Sequence, residues 1–217
     1  MRRVAFVSAM GLCITFLVVN DTFASDEWEY KSKYVAEAKI NDKLDVKINP
    51  EFVFNDNMSR FCEYNVDIGL DWKCREWLVI SPCLKLIEAK SGNEWRKEIR
   101  PDPDITLRWN RQSFKFDDRN RMEYRIREDR NNVWRYRNRI RVKYPVKLTR
   151  FEITPFISNE MFWALDASEI NENELGGGMS LKFTKYIQVT IDYLWRSKKD
   201  NDWTSVNVLE TELKVLF

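Results

Sequence analysis

Histidine is absent from this chain of 217 residues. An imidazole can act as a general base near neutral pH without a strongly shifted pKa, and hydrolases with a Ser–His or Asp–His arrangement depend on it. That chemistry is excluded. Gly176-Gly177-Gly178 is not followed by the lysine and hydroxyl residue of a phosphate loop, so we interpret these glycines as a bulge or a close packing contact within a strand. We predict no catalytic residue, no metal and no cofactor.

Long apolar runs are also scarce. The mean hydropathy is −0.53, and no second long apolar run follows Val19, which excludes a helical membrane protein. At the N-terminus, Arg2 and Arg3 precede the apolar run from Val4 to Val19, and a small residue offers a cleavage point before Ser25. This is the layout of a secretory signal peptide. We predict a signal peptide over residues 1–24 and one exported domain over residues 25–217.

Net charge is nearly absent as well, with 34 basic and 33 acidic residues left after residue 24. A protein that binds nucleic acid would be expected to carry an excess of basic residues, so we predict no nucleic-acid partner. The exported part retains three cysteines, Cys62, Cys74 and Cys83, an odd number for an oxidising compartment. We predict no structural disulfide and expect small buried or lipid-facing side chains rather than metal ligands.

What the chain does contain is alternation with period two, in segments separated by turn-rich stretches. From Glu63 to Trp72, polar residues or glycine occupy one parity and apolar or aromatic residues the other. We count eleven segments: Trp28 to Ile40, Leu44 to Asn55, Phe61 to Trp72, Trp77 to Ala89, Trp95 to Trp109, Phe114 to Arg127, Val133 to Val146, Phe151 to Trp163, Leu175 to Thr184, Ile187 to Lys198 and Trp203 to Phe217. A polar loop is predicted from Asp166 to Asn173. Two prolines predict an irregular strand in the Trp95 segment.

This alternation is typical of a transmembrane β-barrel, in which apolar side chains face lipid and polar ones face the lumen. Single-chain bacterial barrels have even strand numbers, so we adjust the count and predict an all-β, antiparallel up-and-down barrel of about 10–12 strands. Tryptophan and tyrosine near the segment ends are typical of interfacial girdles. Leu213, Val215 and Phe217 share one face of the last segment and resemble a C-terminal assembly signal. The expected location is the outer membrane of a Gram-negative-type bacterium, with membrane lipid and the barrel-assembly machinery as partners.

Arginines alternate along two neighbouring segments, Phe114 to Arg127 and Val133 to Val146. They must face the interior, because an arginine exposed to lipid near the bilayer midplane costs about 2–4 kcal/mol. Pairing the segments sets arginine beside arginine, so carboxylates such as Asp102 and Asp104 should interleave with them. The predicted lumen-lining residues are Arg119, Arg121, Glu123, Arg125, Arg135, Arg137, Arg139, Arg141, Glu152 and Glu160.

Such an interior has three interpretations: side chains that fill a closed barrel, a narrow aqueous pore biased toward anions, or a lumen that binds a ligand. We predict a narrow, porin-like barrel for small solutes. One alternative is a closed structural or adhesion barrel that acts through its outer loops. Another is a soluble periplasmic lipid-binding barrel, which would need its apolar residues inside and its arginines outside.

A set of motifs in the second half of the chain resembles a known family. Asp118 to Arg125, Trp134 to Arg141 followed by Tyr144-Pro145, Pro155 to Glu160 and a last strand that ends in Phe217 are together similar to the domain-of-unknown-function 2490 family. The resemblance covers most of the exported part. It implies an outer-membrane barrel as fold and location, and it implies no activity, substrate or site residue.

Overall fold

The computed structural model describes residues 27–128, 130–145 and 152–217, so the predicted signal peptide over residues 1–24 lies outside the described residues. Strands make up most of the described chain. They are β1 (Trp28–Asn41), β2 (Leu44–Asn55), β3 (Arg60–Arg75), β4 (Leu78–Ser81), β5 (Cys83–Ser91), β6 (Glu94–Pro101), β7 (Asp104–Arg111), β8 (Phe114–Arg127), β9 (Val133–Lys143), β10 (Glu152–Ala164), β11 (Glu169–Lys182), β12 (Ile187–Lys199) and β13 (Trp203–Leu216). No helix among the described residues is long and apolar enough to span a membrane.

The strands form one sheet that closes on itself as a barrel. β4 and β5 follow each other at a single strand position of the barrel wall, interrupted at Pro82, and β6 and β7 do the same across Asp102-Pro103. We call each strand position of the wall a stave. Proline cannot donate a ladder hydrogen bond, which explains both interruptions. The barrel therefore has eleven staves. This confirms the all-β barrel, the eleven segments counted in the sequence and the irregular Trp95 segment.

Closure occurs between the first and last strands, β1 and β13, which run parallel from the pair Trp28–Asn207 to the pair Glu37–Leu216. The other described strand pairs are antiparallel. Strand directions cannot alternate all the way round a ring with an odd number of staves, so one parallel pair is unavoidable. The adjustment of the count to an even number is therefore wrong, although eleven lies within the predicted range of 10–12 strands. The predicted antiparallel pairing holds for the described strand pairs other than β1 with β13.

The wall has an apolar outer face and a charged inner face. Ile48, Ile68 and Ile191 each expose 44–45% of their surface on the outside, whereas Asp102 and Glu123 are 0% exposed on the inside. The two faces follow from strict alternation, because successive side chains of a strand point to opposite sides of the sheet. This is the reverse of the arrangement that a soluble lipid-binding barrel would need.

Aromatic side chains gather near the two ends of the barrel. At the end where β3 and β6 begin, the rings of Phe61 and Trp95 lie 5.6 Å apart. At the opposite end, where β7 finishes and β8 begins, the rings of Trp109 and Phe116 are stacked at 5.3 Å. Between these two groups the outer face is dominated by aliphatic residues.

A hydrogen-bonded polar group interrupts the apolar outer face on β8 and β9. The Tyr136 hydroxyl donates to Asn120 at 2.5 Å, and the Asn138 amide donates to Asp118 at 2.6 Å and to Asn120 at 3.1 Å. These bonds satisfy each side chain locally, which lowers the cost of placing it among apolar neighbours.

Strand β11 begins earlier than expected, at Glu169, so the loop predicted from Asp166 to Asn173 is shorter than predicted and ends at Ser168. Its first half was missed because both of its faces are polar. Glu174 is buried on the inner face, while the Asn159 amide donates to Asn173 at 3.1 Å on the outer face. Charged partners in the lumen, rather than apolar burial, hold this part of the strand.

The glycines of β11 are packed against β12. A Cβ atom added to Gly176 would lie 2.2 Å from the carbonyl oxygen of Tyr193, and one added to Gly178 would lie 2.3 Å from that of Ile191. Either contact is shorter than any side chain tolerates. The interpretation as a close packing contact is confirmed.

Candidate functional site

Strands β8 and β9 place a face of arginines on the lumen. Their register sets Arg119 directly beside Arg139 and Arg121 directly beside Arg137. Adjacent guanidinium groups repel each other, so this arrangement depends on nearby carboxylates. The structure brings those carboxylates in from both sides and from within β8 itself.

On the β7 side, Arg121 is held by two aspartates. It donates to Asp102 at 2.9 Å and to Asp104 at 2.9 Å. All three side chains are at least nine-tenths buried. Charge-assisted hydrogen bonds of this kind are roughly twice as strong as neutral ones, so Arg121 is fixed against the wall.

Glu123 lies at the centre of the arginine face. It accepts from Arg135 at 2.7 Å and from Arg137 at 2.8 Å, and the guanidinium of Arg100 lies 3.7 Å away. Since Glu123 is 0% exposed, its negative charge is compensated entirely by these neighbours.

Glu160, on β10, has the same role on the other side of β9. One of its oxygens accepts from Arg119 at 2.7 Å and from Arg137 at 2.9 Å. Arg137 thus joins two buried carboxylates, Glu123 and Glu160. Glu152, predicted to line the lumen with it, lies at the far end of β10 opposite Lys182 and makes no ion pair among the described residues.

A carboxylate that the sequence analysis missed holds Arg125. Glu98, on β6, accepts two hydrogen bonds from Arg125 at 2.8 Å and forms an ion pair with Arg100 at 2.6 Å. The sequence pattern that could have predicted Glu98 as a lumen residue is the run of charged residues on one parity, Arg96, Glu98 and Arg100. It was overlooked because this segment was expected to be irregular.

The facing wall has its own charge network, which was also missed. Arg196 on β12 donates to Glu174 at 2.8 Å and to Glu29 at 2.9 Å. Lys33 on β1 pairs with Glu212 on β13 at 3.3 Å, and Lys31 on the same strand lies 3.7 Å from Glu174 on β11. Ion pairs on this wall therefore join strands that are not neighbours in the sheet.

Two aromatic rings point inward among the arginines. Phe162 lies 4.3 Å from the guanidinium of Arg137 and 4.9 Å from that of Arg135, and Phe156 lies 4.3 Å from that of Arg141. Both rings are buried, at 3% and 5% exposure. Cation–π contacts stabilise the guanidinium groups without neutralising their charge.

Five arginines of the described residues have a buried Nε atom without a hydrogen-bond partner: Arg96, Arg119, Arg121, Arg139 and Arg141. Two of them are set aside, because Arg96 is not among the residues that line the lumen cavity and Arg121 is held by Asp102 and Asp104. The other three are Arg119, Arg139 and Arg141. Among the described residues, neither Arg139 nor Arg141 has a carboxylate oxygen within 4.0 Å. All three line a cavity of about 630 Å³ inside the barrel. We call Arg119, Arg139 and Arg141 the free arginine cluster.

The predicted assembly residues lie on the outer face of β13. Leu213 is 38% exposed and Phe217 is 75% exposed. We call the parallel pairing of β1 with β13 the seam. The backbone of Phe217 continues it, because its N–H donates to the carbonyl of Glu37 at 2.9 Å and its carbonyl accepts from the N–H of Lys39 at 3.1 Å. The aromatic ring is therefore displayed at the end of the seam.

Neither the curated proteins nor the solved structures contain a match to this chain. The family model described as "Protein of unknown function (DUF2490)" matches residues 32–207, which include nearly all of the barrel wall. This chain is a member of the DUF2490 family.

Proposed function

We propose that this protein is an outer-membrane β-barrel whose lumen is a narrow, anion-preferring pathway for small solutes. The observation that carries the proposal is the free arginine cluster, three guanidinium groups that line the cavity with donors still unused. Rings and walls of fixed charge bias a pore toward ions of the opposite sign.

The apolar outer face supports the membrane location. Exposed isoleucine, leucine and aromatic residues surround the barrel, interrupted on β8 and β9 by the hydrogen-bonded group that includes Asp118, and most charged side chains face the inside. Monomeric soluble proteins rarely expose apolar patches larger than a few hundred Å². Export by residues 1–24 and insertion through Leu213, Val215 and Phe217 belong to the same proposal.

The size of the lumen supports small solutes. A cavity of about 630 Å³ is in the range of sites that hold one small molecule. Most lumen arginines, such as Arg121 and Arg137, are held by carboxylates and act as packing. The free arginine cluster is where a passing anion could replace missing partners, and an anion about 4 Å from one guanidinium gains roughly 1–4 kcal/mol.

Planar-bilayer recording of the refolded mature chain tests the proposal. In a salt gradient, wild type should show discrete openings with an anion-selective reversal potential. Arg139→Gln plus Arg141→Gln should lose that preference without losing the fold, because neither side chain holds a carboxylate among the described residues. Arg137 is unsuitable for this test, since it joins Glu123 and Glu160.

Arg75→Gln plus Arg111→Gln is the matched control. Both arginines are exposed at strand ends, and the double variant removes the same charge. It should keep the anion preference. A folded, inserted wild type that never conducts, or equal selectivity in both double variants, would overturn the proposal.

A further inference from the structure

Two neighbouring staves of the wall are interrupted at the same level. Pro82 separates β4 from β5, and Asp102-Pro103 separates β6 from β7. The backbone N–H of Asp102 donates to the carbonyl of Cys83 at 3.0 Å, which ties the two interruptions together. The local backbone thus places Asp102 directly beside Cys83, both facing inward.

A third side chain, Asp67 on β3, completes a cluster. One oxygen from each of Asp67 and Asp102 and the sulfur of Cys83 all lie within 4.8 Å of one another. The exposed fractions are 7%, 0% and 8%, respectively. Two carboxylates and a thiol are therefore collected in one nearly buried position.

The carboxylates of this cluster have unused acceptors. In the described part of the chain, the Oδ1 atoms of Asp67 and Asp102 are buried and accept no hydrogen bond. The other oxygen of Asp102 accepts from Arg121 at 2.9 Å, which fixes the orientation of that carboxylate. A buried acceptor without a partner costs about 1–3 kcal/mol. These two carboxylate oxygens would therefore be stabilised by a bound cation.

Gly69 leaves the space that the thiol occupies. It pairs directly with Cys83, and a Cβ atom at Gly69 would lie 2.6 Å from the Cys83 sulfur. Any other residue at position 69 would displace the sulfur from the carboxylates. The site is thus built from four positions, three with ligand atoms and one kept empty of a side chain.

We propose that Asp67, Cys83 and Asp102 bind a divalent transition-metal ion of the Zn²⁺ class. A thiolate favours such ions over Ca²⁺ and Mg²⁺, which prefer oxygen ligands alone. Three protein ligands leave a fourth tetrahedral position for water. Binding would draw the ligand atoms closer together, since Zn–S is about 2.3 Å and Zn–O about 2.0–2.2 Å.

The surrounding charges permit this ion. Binding releases the thiol proton, and the site then carries three negative charges against the two of the metal, with Arg121 supplying one more positive charge. Lys47, the lysine near the thiol, donates to Asp71 at 2.6 Å and is already compensated. Lys85, two residues after Cys83 on β5, also lines the lumen and is a competing cation. Asp67 lines the lumen cavity, which gives the ion a path to the site.

Metal titration of the refolded mature chain tests the site. In a background of Cys62→Ser and Cys74→Ser, Cys83 is the sole thiol of that chain. Addition of Cd²⁺ or Co²⁺ should give the thiolate-to-metal charge-transfer band with an endpoint at one equivalent. Cys83→Ser should abolish the band, and Asp67→Asn or Asp102→Asn should weaken binding at least about tenfold.

The variant Asp67→Asn separates loss of the metal from loss of the fold. Asp102→Asn removes a partner of Arg121, whereas Asp67 makes no ion pair among the described residues, so Asp67→Asn should keep the barrel intact. Circular dichroism and gel mobility of each variant verify folding. No band in the Cys83-only protein, or unchanged affinity in folded Asp67→Asn, would overturn the proposal, because the thiol would then bind no metal or bind it alone.

Discussion

Glu123→Gln should destabilise the barrel more than any other single charge removal in the lumen. Glu123 is 0% exposed and faces three guanidinium groups, those of Arg135 at 2.7 Å, Arg137 at 2.8 Å and Arg100 at 3.7 Å. Glutamine keeps the shape of the side chain but removes its charge and turns one acceptor into a donor aimed at other donors.

The expected loss is about 3 kcal/mol in the free energy of unfolding, at the lower end of the 3–5 kcal/mol that follows when a buried ion pair loses one partner. The lower end applies because Arg137 keeps Glu160 at 2.9 Å and Arg135 keeps Glu172 at 3.5 Å. Asp200→Asn is the control. Its pair with Lys198 is half-exposed or more on both sides, so about 0–1 kcal/mol is expected.

Urea unfolding of the refolded protein in lipid vesicles, followed by tryptophan fluorescence, measures the difference. The double variant Glu123→Gln plus Arg135→Gln should be about 0.5–3 kcal/mol more stable than the sum of the two single losses predicts, because it removes a guanidinium that has lost its nearest carboxylate. The reasoning fails if Glu123→Gln loses no more than Asp200→Asn, or if the double variant is less stable than the two single losses added together.

Two further predictions concern the wall and its seam. Gly178→Val should prevent refolding, because a Cβ there would lie 2.3 Å from the carbonyl oxygen of Ile191. The control Gly92→Asn, in an open turn with φ +65°, should refold with little change. Gel mobility measures the folded fraction of each variant, and refolding of Gly178→Val would contradict the packing argument. Deleting Phe217 should leave refolding in detergent unchanged but reduce the amount of protein found in the outer membrane, since the ring is 75% exposed; equal amounts of both proteins in the membrane would remove its assembly role.

The strands and their faces could be predicted from the sequence because alternation is a local signal. Residues such as Ile68 and Asp67 already show the outer and inner faces, and the inward direction of Arg121 and Arg137 follows from the cost of charge in lipid. Each of these conclusions needs only the residue and its neighbours along the chain.

Closure and the partners of the arginines depend on contacts that are distant in sequence. The parallel pairing of Trp28 with Asn207 has no local signal, so a general preference for even strand numbers prevailed over the correct count. The pairing of Glu98 with Arg125 and the proximity of Asp67 to Asp102 depend on register across several staves. Both faces of early β11 are polar, and alternation cannot identify such a strand.

The parallel seam places the two ends of the wall in different surroundings. Trp28 lies towards one end of the barrel and Leu216 at the other. Because Trp28 pairs with Asn207, they are separated by the nine residue steps from Asn207 to Leu216, about 30 Å along the strand. A circular permutant would need a linker of roughly ten extended residues through the lumen or along the outer face, where an even-stranded barrel needs only a turn. Once such a barrel is inserted in a bilayer, reporters fused before Trp28 and after Phe217 would lie on opposite sides of the membrane.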